Sequence, residues 1–124
     1  MNTSAKIVIA TAFGIIIGTA GVEVTNAQPK SSAYLIAEFE ITDPAVWKAY
    51  VDGARATPSS GEFIVRAAKG TTLSGQPPKT ITIVKYATVE DALAFDSSPQ
   101  YVALKPLRDK SSNWRSYVVE GLPK

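Results

Sequence analysis

The sequence predicts an α+β fold in the order β-α-β-β-α-β. Short stretches with the two-residue alternation or β-branched content of strands are separated by stretches of helical spacing that follow a capping residue. Clusters rich in Gly, Pro and Ser lie between them. The first strand is Ala33 to Ile41, where Ala33, Leu35, Ala37, Phe39 and Ile41 point one way and Tyr34, Ile36, Glu38 and Glu40 the other. Thr42-Asp43-Pro44 then starts a helix: Asp43 can cap free backbone N–H groups, and Pro44 fits the first turn. Val46, Trp47, Tyr50, Val51 and Ala54 recur at helical spacing, with Trp47 and Tyr50 expected in the core, and the helix fades near Thr57 before Pro58-Ser59-Ser60-Gly61.

Glu62 to Ala67 forms the second strand, with Phe63 and Val65 on one side and Glu62, Ile64 and Arg66 on the other. Gly70 to Lys79, with Gly75 and Pro77-Pro78, reads as a hairpin loop. It is not a phosphate loop, because it lacks the Gly-Lys-Ser/Thr ending and a following helix. Thr80 to Tyr86 is a β-branched third strand. Thr88 caps a short helix bearing Ala92, Leu93 and Phe95, and Ser98-Pro99 starts a further helical piece through Tyr101, Leu104 and Leu107 that Pro106 should kink or split. Trp114 to Glu120 is the fourth strand, ended by Gly121. Two right-handed split crossovers of this order give a ferredoxin-like, four-stranded antiparallel sheet with the helices on one face. The other face, carrying Tyr34, Ile36, Ile64 and Val84, is left without cover, and a second copy is the simplest cover.

The segment before the first strand has a different character. Lys6 is the only charge ahead of an apolar run from Ile7 to Val22, and Thr25-Asn26-Ala27 follows. A basic start, an apolar middle and small residues at −3 and −1 mark a signal peptide over residues 1–27, cleaved after Ala27, with 28–32 as a leader to a domain at 33–122. The apolar run would span only about 24 Å as a helix, against a bilayer core of about 30 Å, so no membrane association is expected after cleavage. The expected location is periplasmic or secreted.

Net charge is +2 and nothing resembles a basic nucleic-acid footprint. The chain has no histidine and no cysteine. That removes His-based triads, His-ligated metal or haem, thiol nucleophiles, iron–sulfur clusters and disulfides. No cofactor and no metal are expected. A small exported domain without disulfides gains stability by pairing, so a homodimer is the expected assembly.

Tyr34-Leu35-Ile36-Ala37-Glu38-Phe39, Thr42-Asp43-Pro44, Phe63-Ile64-Val65-Arg66, the stretch from Asp96 to Tyr101, and Val119-Glu120-Gly121 together resemble the domain-of-unknown-function 1330 family. The match covers about residues 33 to 122. The resemblance implies a dimeric α+β barrel, in which two ferredoxin-like sheets face one another, and implies no established activity. Related barrel families include small monooxygenases, isomerases and haem-handling proteins, so the fold alone selects no chemistry. The chain departs from the family pattern at three places. Ala67-Ala68 stands where two glycines usually follow the strand-2 arginine, Lys85 where an acid is common, and Pro106 inside a helix that is usually continuous.

The candidate ligand-binding residues are Tyr34, Glu38, Arg66, Tyr86 and Glu120. Glu38 and Arg66, if both lie on the uncovered face, are two strands apart, about 9–10 Å. Arginine's planar fork suits a carboxylate ligand. A carboxylate in a partly closed barrel with a raised pKa would serve as a general base. The other reading is that Glu38 and Arg66 form an ion pair fixing dimer register. Tyr34 and Tyr86 offer hydroxyls to a pocket or act as half-buried wall residues. Asp96, Ser97, Ser98 and Tyr101 would line a pocket mouth or, on the preferred reading, simply cap a helix. Three functions follow: an exported dimeric barrel binding a small molecule, a cofactor-independent monooxygenase- or isomerase-like enzyme using Glu38 and Arg66, or a structural protein without a ligand.

Overall fold

The computed structural model describes residues 31–123, so the expected signal peptide lies outside the described residues. The elements are β1 (Ala33–Ile41), α1 (Pro44–Ala56), β2 (Glu62–Ala68), β3 (Thr80–Tyr86), α2 (Val89–Asp96), α3 (Pro99–Ser111) and β4 (Ser112–Glu120). They build one four-stranded sheet in the order β2-β3-β1-β4, with all neighbours antiparallel. This is the ferredoxin-like α+β fold.

The helix starts follow the capping chemistry of the sequence. Asp43 accepts from the Val46 N–H at 3.2 Å, Thr88 from Asp91 N–H at 3.1 Å, and Ser98 from Tyr101 N–H at 3.3 Å. Each side chain satisfies a backbone donor that the first helical turn leaves free. Pro106 neither ends nor splits α3, which runs as one helix to Ser111. A proline there removes one backbone donor, and the far end of the helix is tied down strongly. Ser111 donates to the Leu107 carbonyl at 2.6 Å and Ser112 to the Arg108 carbonyl at 2.6 Å. The Ser111 carbonyl accepts from the Thr42 and Asp43 N–H groups. With the Leu107, Arg108 and Ser111 carbonyls satisfied, α3 passes directly into β4 without a loop.

One face of the sheet packs under the helices, and its core is largely aromatic. Phe39 stacks on Trp47 (4.9 Å between centroids) and on Trp114 (5.2 Å). Trp47 touches Tyr50 (4.9 Å), Tyr50 meets Tyr101 edge-on (6.2 Å), and Tyr101 packs on Phe95 (4.6 Å), which reaches Tyr86 (6.4 Å). Burial of such rings supplies most of the cohesion of so small a domain. Two buried hydroxyls, on Tyr50 and Tyr101, bond each other at 2.6 Å. The Arg108 guanidinium reaches the Tyr101 hydroxyl at 3.4 Å, lies 4.9 Å from the Trp114 ring and donates to Asp109 at 2.9 Å. Burial pushes the Tyr50 hydroxyl far above the ordinary tyrosine range, so it stays protonated. Where α1 crosses α3, Gly53 is tight: a Cβ there would stand 2.5 Å from the Leu104 side chain.

The second strand departs from regular alternation. Phe63 pairs with Val84 and Val65 with Ile83, and a further shift brings Ala68 opposite Ile81. Ile64 therefore has no partner of its own, and the strand is bulged on either side of Val65. Ala67 takes a left-handed backbone (φ 47°) at this bulge, with its N–H on the Thr82 hydroxyl at 2.9 Å. A left-handed residue strongly favours glycine, which gives the usual glycines of this stretch a physical reason.

Candidate functional site

Strand register decides which side chains meet. Residues opposite one another across β3, β1 and β4 share a face, so Leu35, Val84 and Val118 form one set and Ile36, Ile83 and Tyr117 another. The first set packs in the core with Tyr86 and Ala92. Val84 thus lies under the helices and not on the uncovered face where the sequence reading put it. The β3 run Thr80-Ile81-Thr82-Ile83-Val84 is apolar on both faces near its end, so alternation alone did not orient it.

The bare face carries Tyr34, Ile36, Ile81, Ile83, Val65, Tyr117 and Val119 by register. Ile36, Ile81 and Ile83 sit on the two central strands yet remain half-exposed. Tyr117 and Val119 are 41% and 42% exposed. Aliphatic side chains at the centre of a sheet, with none of the described residues packed over them, are unusual for an isolated domain.

Within this apolar field stands one polar cluster. Glu38 and Arg115 are direct cross-strand partners between β1 and β4. The Arg115 Nε donates to Glu38 Oε1 at 2.9 Å, its Nη2 donates to the same oxygen, and the Tyr117 hydroxyl donates to Oε2. These donors hold the Glu38 carboxyl below the usual carboxylate range, the Tyr117 hydroxyl contributing most and Arg115 next. The carboxylate in turn raises Arg115 and Tyr117. At neutral pH the trio is one anion, one cation and one neutral donor.

The five residues singled out from sequence are not brought together. Tyr34 and Glu38 share the bare face. Tyr34 packs on the chain end, where a Cβ at Gly121 would come within 2.9 Å of its ring. Arg66 does not pair with Glu38: its guanidinium lies 4.1 Å over the Phe63 ring, and Phe63 is in register with Val84 of the covered face. The bulges of β2 break the alternation on which the expected Glu38–Arg66 pairing depended. Tyr86 is 2% exposed on the covered face, its hydroxyl 3.1 Å from that of Ser59. Glu120 is exposed at the end of β4, opposite Ala33 of the covered set. Ser98 caps α3 as expected, and Asp96 accepts from Lys105 at 3.1 Å.

Arg115 and Tyr117 are not among the residues the sequence singles out, and the signal that finds them is the register of β1 with β4. The sequence sets the fourth strand at Trp114 to Glu120, but β4 begins at Ser112; pairing its far end, Glu120, with the start of β1, Ala33, sets Arg115 opposite Glu38. Among the described residues no group of acidic side chains is arranged to hold a metal ion, and no helix is long and apolar enough to cross a membrane.

Residues 32–122 match the family described as a domain of unknown function (DUF1330). No curated protein matches the sequence. Solved structures share the fold at low identity. A protein of unknown function from Rhodopseudomonas palustris is 11% identical, with a TM-score of 0.58 over 78% of this chain and 87% of that one. A dimeric ferredoxin-like protein of unknown function from Thermobifida fusca is 10% identical (TM-score 0.52, 81% and 100%). A dimeric protein of unknown function with a ferredoxin-like fold from Bacteroides fragilis is 12% identical (TM-score 0.51, 75% and 99%).

Proposed function

We propose, from the premise that the chain belongs to the DUF1330 family, that it is an exported, homodimeric domain that binds a small molecule. The observation that carries the pairing is the bare face: among the described residues nothing covers Ile36, Ile81 and Ile83 at the sheet centre. The face suits a second copy of itself. Its central charges, Glu38 and Arg115, cancel, and Lys85 stands opposite Glu62 at the other end. A face with balanced charge does not repel its own copy across a two-fold axis. Two similar folds, those from Thermobifida fusca and Bacteroides fragilis, are described as dimeric. In this arrangement the Glu38–Arg115–Tyr117 trio fixes register between the sheets. Export rests on the pattern of residues 1–27.

The enzyme reading with Glu38 as general base has less support. A general base at neutral pH works best with a pKa near 7, and Tyr117 and Arg115 push Glu38 the other way. Native mass spectrometry of the protein recovered from its own host tests the proposal. A dimer of chains beginning near Gln28, with added mass from a retained ligand, is the expected result. Monomers retaining residues 1–27 would refute both pairing and export.

A further inference from the structure

We infer that the cleft between the α1–β2 loop and the α2–α3 corner binds a small organic cation, an amine carried on an apolar body. The inference rests on the small-molecule reading above but not on pairing, because the cleft is built from the helices and loops of one copy. It has a volume of about 400 Å³, with Pro58, Ser59 and Ser60 on one wall and Asp91, Phe95 and Ser98 on the other. The depression is open to solvent, so a ligand would lie across it with one side exposed.

Both walls are held in place by the fold. The loop wall lies down on Tyr86 because residue 61 is glycine: a Cβ there would fall 2.5 Å from Val84 and 2.6 Å from the Tyr86 ring. Ser59 accepts from the Gly61 N–H at 3.0 Å and meets the Tyr86 hydroxyl at 3.1 Å. On the other wall, Ser98 donates to the Phe95 carbonyl at 2.8 Å while capping α3. These two hydroxyls are committed to the fold. The Asp91 carboxylate and the Ser60 hydroxyl make no hydrogen bond among the described residues, so they are the polar groups left for a ligand.

The chemistry of the ligand follows from this set. The lining has one charge, a carboxylate, and no Lys or Arg. Lys105 is engaged by Asp96. An anionic ligand would meet the Asp91 carboxylate, the one formal charge of the lining, whereas an ammonium group would gain a charge-assisted hydrogen bond. The half-buried Phe95 ring, packed against Tyr101 and Tyr86, offers a fixed apolar surface for the ligand body and attracts a cation over its face.

Titration calorimetry with phenethylamine, on protein recovered from its own host, tests this assignment. Saturable binding with Kd below about 1 mM is expected. Asp91→Asn should weaken it at least about tenfold, and phenylacetate, which has a similar body with the opposite charge, should not bind. Glu90→Gln removes a charge from the same helical turn but outside the cleft, so unchanged affinity there separates a site charge from a helix-end effect. No saturation by about 10 mM, equal binding of phenylacetate, or undiminished affinity in Asp91→Asn would overturn the inference. A broad thermal-shift screen separates the two levels. If other compounds stabilise the protein while phenethylamine fails, the cleft assignment alone falls; if none does, the small-molecule reading falls with it.

Discussion

The two faces of the sheet use different materials. The covered face meets the helices through a row of rings, Trp114, Phe39 and Tyr86 from the sheet and Trp47, Tyr50, Tyr101 and Phe95 from the helices, beside Leu35, Val84 and Val118. The bare face is aliphatic at its centre, with one ionic trio at Glu38, Arg115 and Tyr117. Polar groups on the covered face, such as the Tyr50–Tyr101 pair and Arg108, satisfy one another within the chain. The bare face satisfies its trio but leaves its isoleucines half-exposed, without cover from the described residues. The difference separates two roles: the covered face stabilises the single chain, and the bare face is suited to stabilise a pair.

That division can be broken from either side. The largest effect is expected on the covered face. Phe39 is 5% exposed and stacks on two tryptophans, so Phe39→Ala should cost about 3–5 kcal/mol in urea unfolding. On the bare face, Ile83→Lys should leave the circular dichroism spectrum unchanged and weaken self-association by about a hundredfold, measured by sedimentation, because two like charges would meet at the centre of the pair. If Ile83→Lys instead unfolds the chain with no change in copy number, the two faces do not have separate roles.

Smaller effects sharpen the comparison. Ala67→Gly relieves the left-handed backbone at the β2 bulge and should raise stability by about 1 kcal/mol, read as a higher urea midpoint. The smallest expected effect concerns Glu38. Its carboxyl is lowered in the fold below its ordinary value of 4.5, so its favourable contribution is present at neutral pH, above the unfolded value. It is lost as pH falls through the lower folded value. Glu38→Gln should therefore flatten the acid limb of the stability profile while leaving the slope near pH 7 unchanged. An unaltered acid limb would show that the trio does not form in solution.

Much of this architecture is legible in the residues. Asp43, Thr88 and Ser98 mark the helix starts, and β1 and β3 fall where alternation and β-branching put them. Those signals are local, set by one turn of helix or one pleat. The candidate site was less legible because it depends on register between strands. The long connection from Lys69 to Lys79 does not fix how β2 meets β3, and the shift between Phe63 and Val65 reverses the alternation that would carry Arg66 to the bare face. Val84 was misplaced for a related reason, since an apolar residue follows Ile83 directly and either can face the core. Pro106 predicts a kink or split, but α3 runs on because its end is anchored by local serine bonds and by the Thr42 and Asp43 N–H groups of the β1–α1 turn, a tertiary contact.

Sedimentation equilibrium of the protein recovered from its own host, at about micromolar concentration, tests pairing most directly. The bare isoleucine face predicts the mass of two chains, and dissociation on Ile83→Lys. A folded species with the mass of one chain across the whole concentration range would contradict it.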